Sequence, residues 1–449
     1  MRTFANRSLF EDGNLALALA PALTPAGIVE TPSFFRGFVA YPQVLARGLL
    51  VLADVTSTRY FNFTPVGQRD PVLSAQGDRL RAECFSACNG VYARLDLLQS
   101  GFDGQIGYGT TNVDIGIELR AALTKIRQDD KLHVDIGCGG LTAARVGKES
   151  SKVFTLEEKV HERPVEMPDR WVRALGNAAE IHHGMKPVFS LKGAQAQTFV
   201  ASLPPATGKN QSGWLAPSPM GAKLMPRPAQ GAAYVSGLHR LSALKRVLTN
   251  ISGMTFYMPE DMEAGQSMVE VELPDCRLTL SLTAEAWHGY SGEGALLASL
   301  AQEEVLLDAE SIGSALGFDA AIDEARIAQR WDMGADRIGA ALTLLAVSGK
   351  LGFDAYENAW FHRELPDDSG RVLKDNPRLA AARKLVGAVK NIGENQWIVC
   401  SNETEYRVFY DLAQGAQEAK CTCTWYLNHQ NKRGPCKHIL AVQLKEENR

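Results

Sequence analysis

Apolar and polar residues alternate over 132–136, 267–273 and 277–282, the two-residue period of strands that bury one face. Pro274 and Asp275 stand between the last two and supply a turn, so that pair predicts a hairpin. The continuous apolar run at 48–54 predicts a short strand. Residues 113–126, with Ile115, Ile117, Leu119, Leu123 and Ile126, predict a helix that follows a strand. Arg163-Pro164 and Met167-Pro168 interrupt the pattern, after which Asp169 is placed to cap a helix starting near Arg170. From about residue 294 the spacing turns helical, over 295–307, 311–316, 322–331 and 336–348. Residues 349–356 and 359–362 then read as a hairpin, and short helices closed by a hairpin make a winged-helix-like unit. A polar linker at 366–370, a helix over 376–389 and strands at 397–400 and 406–410 follow, with an apolar helix at 439–444.

These elements predict an α+β, multidomain chain, as does its length of 449 residues, too long for one ordinary core. The divisions expected are an α+β domain at 1–165, a second at 166–293, the helical winged-helix-like region at 294–366 and a zinc module at 376–449. The formal net charge of −4 speaks against a surface coated in basic residues for nucleic acid. No apolar run reaches the roughly 20 residues that a membrane helix needs. The first residues mix Arg2, Arg7, Glu11 and Asp12 with a short Leu/Ala stretch, unlike a secretion signal, so cytoplasm is the expected location.

The eight cysteines are unevenly placed: three of them, Cys421, Cys423 and Cys436, fall within sixteen residues. Cys421-Thr-Cys423, twelve intervening residues and Cys436-Lys-His438 offer three thiolates and one imidazole, the donor set of tetrahedral zinc. Two cysteines one residue apart face the same ion only where the backbone turns, as at a strand end. Gly434-Pro435 supplies the second turn. Four protein ligands fill the shell and leave no position for water, so the predicted ion is one structural Zn2+. His429 lies mid-spacer without a paired cysteine, and Cys400 sits in an apolar strand as a small core residue.

This pattern, with a hairpin before it and a helix after, resembles the SWIM zinc finger. The motifs DP at 70–71, GDRLR at 77–81, GVYARLD at 90–96, GTTNVD at 109–114 and FHRELP at 361–366 are similar to those of bacterial SWIM proteins of like length. That resemblance implies genes encoding a MoxR-type AAA ATPase and a von Willebrand A protein nearby, hence such partners. It implies no reaction.

Other constellations compete for a role. HVDIGCGG at 133–140, followed by Glu157, imitates the glycine loop of an S-adenosylmethionine methyltransferase, although Leu141 stands where the closing glycine belongs. The segment 69–114 is dense in Asp, Glu and Arg, which suits either a binding cleft or buried ion pairs that fix strand register; the second is preferred. Cys84 and Cys88 lack a second ligand pair nearby. Ser291 reads as a helix cap and not a nucleophile, and adjacent His182 and His183 point apart on a helix.

Two functions follow. Residues 296–366 hold twelve acids against five bases, a net charge of −7, which suits a protein partner better than DNA. The expected function is therefore a non-enzymatic protein-interaction adaptor, working through acids around Glu303, Glu304, Asp308 and Glu310. The alternative is nucleic-acid binding, with Lys420, Lys432, Arg433 and Lys437 on phosphates and Trp425 and Tyr426 stacking on bases.

Overall fold

The computed structural model describes residues 33–61, 71–148, 154–165, 169–285, 289–290, 303–365, 377–412, 414–431 and 434–447, with four short strands between residues 9 and 29. The expected linker at 366–370, the start of the helical region, the cap at Ser291 and Arg69, Asp70, Lys432 and Arg433 lie outside the described residues.

An eight-stranded antiparallel sheet organises the chain. Its order is Tyr108–Asn112, Val72–Gln76, Arg79–Phe85, Val91–Leu98, Cys276–Leu282, Ser267–Leu273, Gly253–Pro259 and Met185–Lys192. The sheet crosses the division expected at 165, because Leu95 pairs with Leu278 and Asp96 with Arg277 at its centre. Residues from Phe34 to Leu282 on both sides of that point share one core. A five-stranded sheet runs Phe154–Glu162, Gly140–Lys148, Lys131–Gly137, Ser33–Val39 and Phe102–Ile106.

The apolar face of the large sheet, with Leu80, Ala82, Leu95, Leu97, Leu278 and Leu280, packs toward the helix Pro42–Thr56. The run at 48–54, expected as a strand, lies inside this helix. An apolar run reads alike as a buried strand or a buried helix. Here Pro42 opens the helix and nearly every side is covered, so no amphipathic period survives to reveal it. Gly48 sits where the helix touches the sheet: a Cβ there would come within 2.8 Å of a Leu95 methyl.

The expected hairpin forms as Ser267–Leu273 and Cys276–Leu282, with Asp275 in the left-handed region at φ 52°. The helix expected from Arg170 runs Asp169–His183. The helical region holds Glu303–Gly313, Glu324–Trp331 and Ala335–Val347, followed by the hairpin Leu351–Asp354 with Ala359–His362. Two separate helices expected at 295–307 and 311–316 are replaced across their gap by the single helix Glu303–Gly313. A second core runs from Val305 through Leu345 and Trp360 to Trp397, Cys421 and Leu440, joining this region to the C-terminal module.

Candidate metal centre

The C-terminal module begins with the helix Pro377–Leu385 and a four-stranded sheet, Val389–Gly393, Gln396–Ser401, Thr404–Phe409 and Lys420–Cys421. Cys421 ends the last strand and Cys423 precedes the short helix Thr424–His429, so the turn between them brings both thiols to one side. That short helix was not expected in the spacer. Gln430 and Asn431 leave it at φ 43° and 61°, and Gly434 turns back at φ 78°. Cys436 then stands before the helix Lys437–Glu447, whose second residue is His438.

The four ligand atoms of Cys421, Cys423, Cys436 and His438 lie within 4.8 Å of one another, and all four residues are buried. His438 Nδ1 is 3.7 Å from Cys421 Sγ and 4.0 Å from Cys436 Sγ. Tetrahedral zinc, with sulfur at about 2.3 Å and nitrogen at about 2.0 Å, sets such atoms roughly 3.5–3.8 Å apart. The residues present therefore fit the ion, with Nδ1 as the imidazole donor. The amides of Cys423 and Ile439 donate toward Cys421 Sγ and Cys436 Sγ at 3.4 and 3.5 Å, the hydrogen bonding that thiolates accept. Tyr406 stacks on the His438 ring at 4.1 Å and fixes its plane. His429 faces Trp425, outside the donor set.

The basic and aromatic residues around the centre are partly engaged. Lys437 Nζ donates to Ser401 Oγ at 3.1 Å. Trp425 donates to the Gly434 carbonyl at 3.2 Å, and the Arg378 guanidinium covers its ring at 4.2 Å. Lys420 is exposed.

The polar segment resolves into a buried ionic cluster. Alternation along the strands puts Arg81, Glu83, Arg94, Asp96 and Arg277 on the sheet face opposite the helix Pro42–Thr56. The hairpin Leu351–Asp354 and Ala359–His362 covers that face. Asp96 pairs with Arg81 at 2.5 Å and with Arg94 at 2.9 Å. Asp354 from the hairpin pairs with Arg94, Arg81 and Arg277 at 3.0, 3.1 and 3.1 Å. Glu83 accepts from Tyr92 at 2.7 Å and from Arg363 at 3.2 Å, while Phe361 lies 3.6 Å beneath the Arg81 guanidinium. Residues from three of the five upstream motifs, at 77–81, 90–96 and 361–366, thus meet in one place. The cluster supports the ion-pair reading preferred from the sequence.

Its electrostatics predict a pH response. Burial alone would raise Asp96 and Asp354, but the arginines around them hold both carboxyls below the usual range. Glu270 sits 3.9 Å from Arg94, and there desolvation wins and pushes its carboxyl up to about 7. A depressed carboxyl stabilises the fold above its unfolded pKa of about 4, and that contribution is lost as pH falls below it. A raised one stabilises the protonated form, so stability falls as pH rises from about 4.5 to 7. Between pH 5 and 8 the wild type should lose up to ~3 kcal/mol more than Glu270→Gln, read from urea unfolding. Equal losses would refute this assignment.

The other candidates are placed as follows. HVDIGCGG forms the end of the strand Lys131–Gly137, a tight turn with Gly140 at φ 109°, and the start of an antiparallel strand. A methyltransferase loop leads into a helix, so this turn does not make that cradle; the Glu157 side chain lies outside the described residues. Cys84 is buried and donates to the Leu52 carbonyl at 3.7 Å, and Cys88 contacts Ser86 Oγ at 3.3 Å. His182 packs against Tyr92, whereas His183 packs against Phe353 and Trp360.

No described helix is long and apolar enough to cross a membrane. No curated protein matches the chain. Among solved structures, the proliferating cellular nuclear antigen of Entamoeba histolytica aligns at 12% identity and TM-score 0.37, over 56% of this chain and 99% of that one. The PCNA2-PCNA3 complex of Sulfolobus tokodaii aligns at 10% identity and TM-score 0.39, over 56% of this chain and 100% of that one. Similarity of that degree does not establish a common fold. The SWIM zinc finger family model matches residues 406–445, the stretch that carries all four ligands, so the C-terminal module is similar to SWIM zinc fingers and its closed donor set holds one structural zinc ion.

Proposed function

We propose that the chain is a cytoplasmic, non-enzymatic adaptor whose zinc module and helical region present a surface to a protein partner, in a system built on a MoxR-type AAA ATPase and a von Willebrand A protein. The supporting observation is the outer face of the helix Glu303–Gly313, where Leu307 is 63% exposed and Leu306 and Glu310 are exposed beside it. Apolar side chains among acids suit a protein surface and repel phosphate. Asp323, Glu324, Asp332 and Asp336 add exposed acids in the same region. Asp308 does not take part: it is buried and paired with Arg337 at 2.7 Å. The side chains of Glu303 and Glu304 lie outside the described residues.

The winged-helix-like reading gains its helices and hairpin from the described elements. However, its hairpin is spent on the ionic cluster and is not free to act as a wing toward DNA. Nucleic-acid binding through Lys420, Lys432, Arg433 and Lys437 is the second reading. It is weakened by the engagement of Lys437 and by the Arg378 side chain over Trp425.

The test is affinity purification of the tagged chain from its native cell, with and without nuclease. The ATPase or the von Willebrand A protein should be retained after nuclease, and Leu307→Asp should reduce retention roughly tenfold or more while zinc content stays at one per chain. Nanomolar, sequence-selective DNA affinity at physiological salt, lost on changing Lys420 and Lys437 to alanine, would overturn the adaptor reading.

A further inference from the structure

We infer that a basic cleft remote from the zinc module binds a compact ligand carrying two or more phosphate groups. The cleft has a volume of about 820 Å³ and lies between the helix Pro42–Thr56, the end of the helix Ile117–Lys125, the strand Gly140–Lys148 and the 3-10 segment Leu238–Asn250. Six cationic side chains line it: Arg47, Lys125, Arg127, Arg145, Lys245 and Arg246. Among the described residues no acidic side chain lines it.

The charge is only partly balanced from outside. Asp54 pairs with Arg246 at 2.7 Å, and Glu158 pairs with Lys125 at 3.0 Å and Arg145 at 3.9 Å, while Asp130 lies 3.8 Å from Arg145. Arg47, Arg127 and Lys245 make no ion pair among the described residues. Arg47 is instead held by neutral acceptors, donating to Thr249 Oγ1 at 2.6 Å and Asn250 Oδ1 at 2.9 Å. That guanidinium is therefore oriented in advance while its charge is left for a ligand. Like charges gathered into one concavity raise the local potential and the local anion concentration.

Shape and lining narrow the ligand. A volume of this size is that of a small-molecule site, roughly 300–1,000 Å³. Among the described residues no aromatic side chain lines the cleft to stack on a base. Recognition rests on phosphates, with guanidinium forks and ammonium groups as donors. Inorganic polyphosphate, a nucleoside polyphosphate and a nucleic-acid backbone share that chemistry. A cleft of about 820 Å³ holds the compact sources whole, which favours them over a polymer.

The probes are sodium tripolyphosphate, orthophosphate, ATP and a single-stranded DNA oligonucleotide, titrated calorimetrically into the full zinc-loaded chain at physiological ionic strength. Tripolyphosphate should bind once per chain, with ATP comparable and orthophosphate at least about tenfold weaker. The double change Arg127→Glu with Lys245→Glu should weaken tripolyphosphate at least about tenfold, since it reverses two exposed charges that support no internal pair. Lys245→Arg should keep binding, and Lys390→Glu in the zinc module should leave it unchanged. Absence of tripolyphosphate binding, or equal binding by the double variant, overturns the inference. Tighter binding of DNA than of tripolyphosphate, abolished by the same double change, overturns it in favour of a nucleic-acid groove.

Discussion

Cys423→Ser is expected to release the zinc ion and unfold the C-terminal module. The sheet of that module has only four strands, one of them the two residues Lys420–Cys421, and Cys421, Cys423 and Cys436 are themselves part of the core. Without the ion, buried thiols and an imidazole replace the bonds that close it, and zinc binding free energy on the order of 10 kcal/mol is folding free energy in such units. The consequences should reach further than the module. The second core is continuous from Val305 to Leu444, so the helices Glu303–Gly313 and Ala335–Val347 should lose part of their protection. The large sheet, built on the other core, should keep its own. Hydrogen exchange should show residues 389–447 exchanging freely, 303–347 more quickly than in the wild type, and 72–98 and 267–282 unchanged. Elemental analysis should give one zinc per wild-type chain and none in the variant. A variant that retains both its zinc and its exchange pattern would refute the assignment of Cys423 as a ligand.

Asp354→Ala should be the most damaging single change outside the zinc module. The Asp354 carboxylate is fully buried and faces Arg81, Arg94 and Arg277, and it also accepts from the Tyr356 amide at 3.2 Å. Removing it leaves three guanidinium groups short of counter-charge in a site from which water is excluded. Breaking a buried pair in this way costs about 3–5 kcal/mol, far more than the pair contributes against an apolar replacement. Glu357→Ala is the comparison: that carboxylate sits at the rim, 26% exposed, 2.6 Å from Arg79 and 2.8 Å from Arg277, and its loss should cost about 1 kcal/mol. Thermal unfolding of the two variants, with proteolysis across 351–362, checks the order. A Glu357 variant as damaged as the Asp354 one would place the weight of the cluster at its rim and contradict the account.

The zinc centre was legible because its information is local. Four ligands fall within eighteen residues, from Cys421 to His438, and their spacing together with Gly434-Pro435 dictates that they converge. Alternation likewise determined the strands at 132–136, 267–273 and 277–282, since period two is imposed by the pleat whatever lies beyond it. The helix Pro42–Thr56 was missed for the converse reason. Its apolar run carries no period because other elements surround it, and only those elements decide between helix and strand. The same limit explains the sheet that joins residues 72–112 to 185–282, for strand partners far apart in sequence leave no mark on either strand. Composition announced the polar strands but not their cover: Arg81, Arg94 and Arg277 look solvent-facing until a hairpin more than 70 residues further on brings Asp354 against them. Nor did sequence reveal the basic cleft, whose cations at 47, 125, 127, 145, 245 and 246 come from four elements and the loop after the helix Ile117–Lys125. The sequence alone determined the metal site and the local periodicities, which are set by neighbours along the chain. The tertiary structure alone decided which charges are buried together and which are left for a ligand, because burial and potential depend on what packs from elsewhere in the chain.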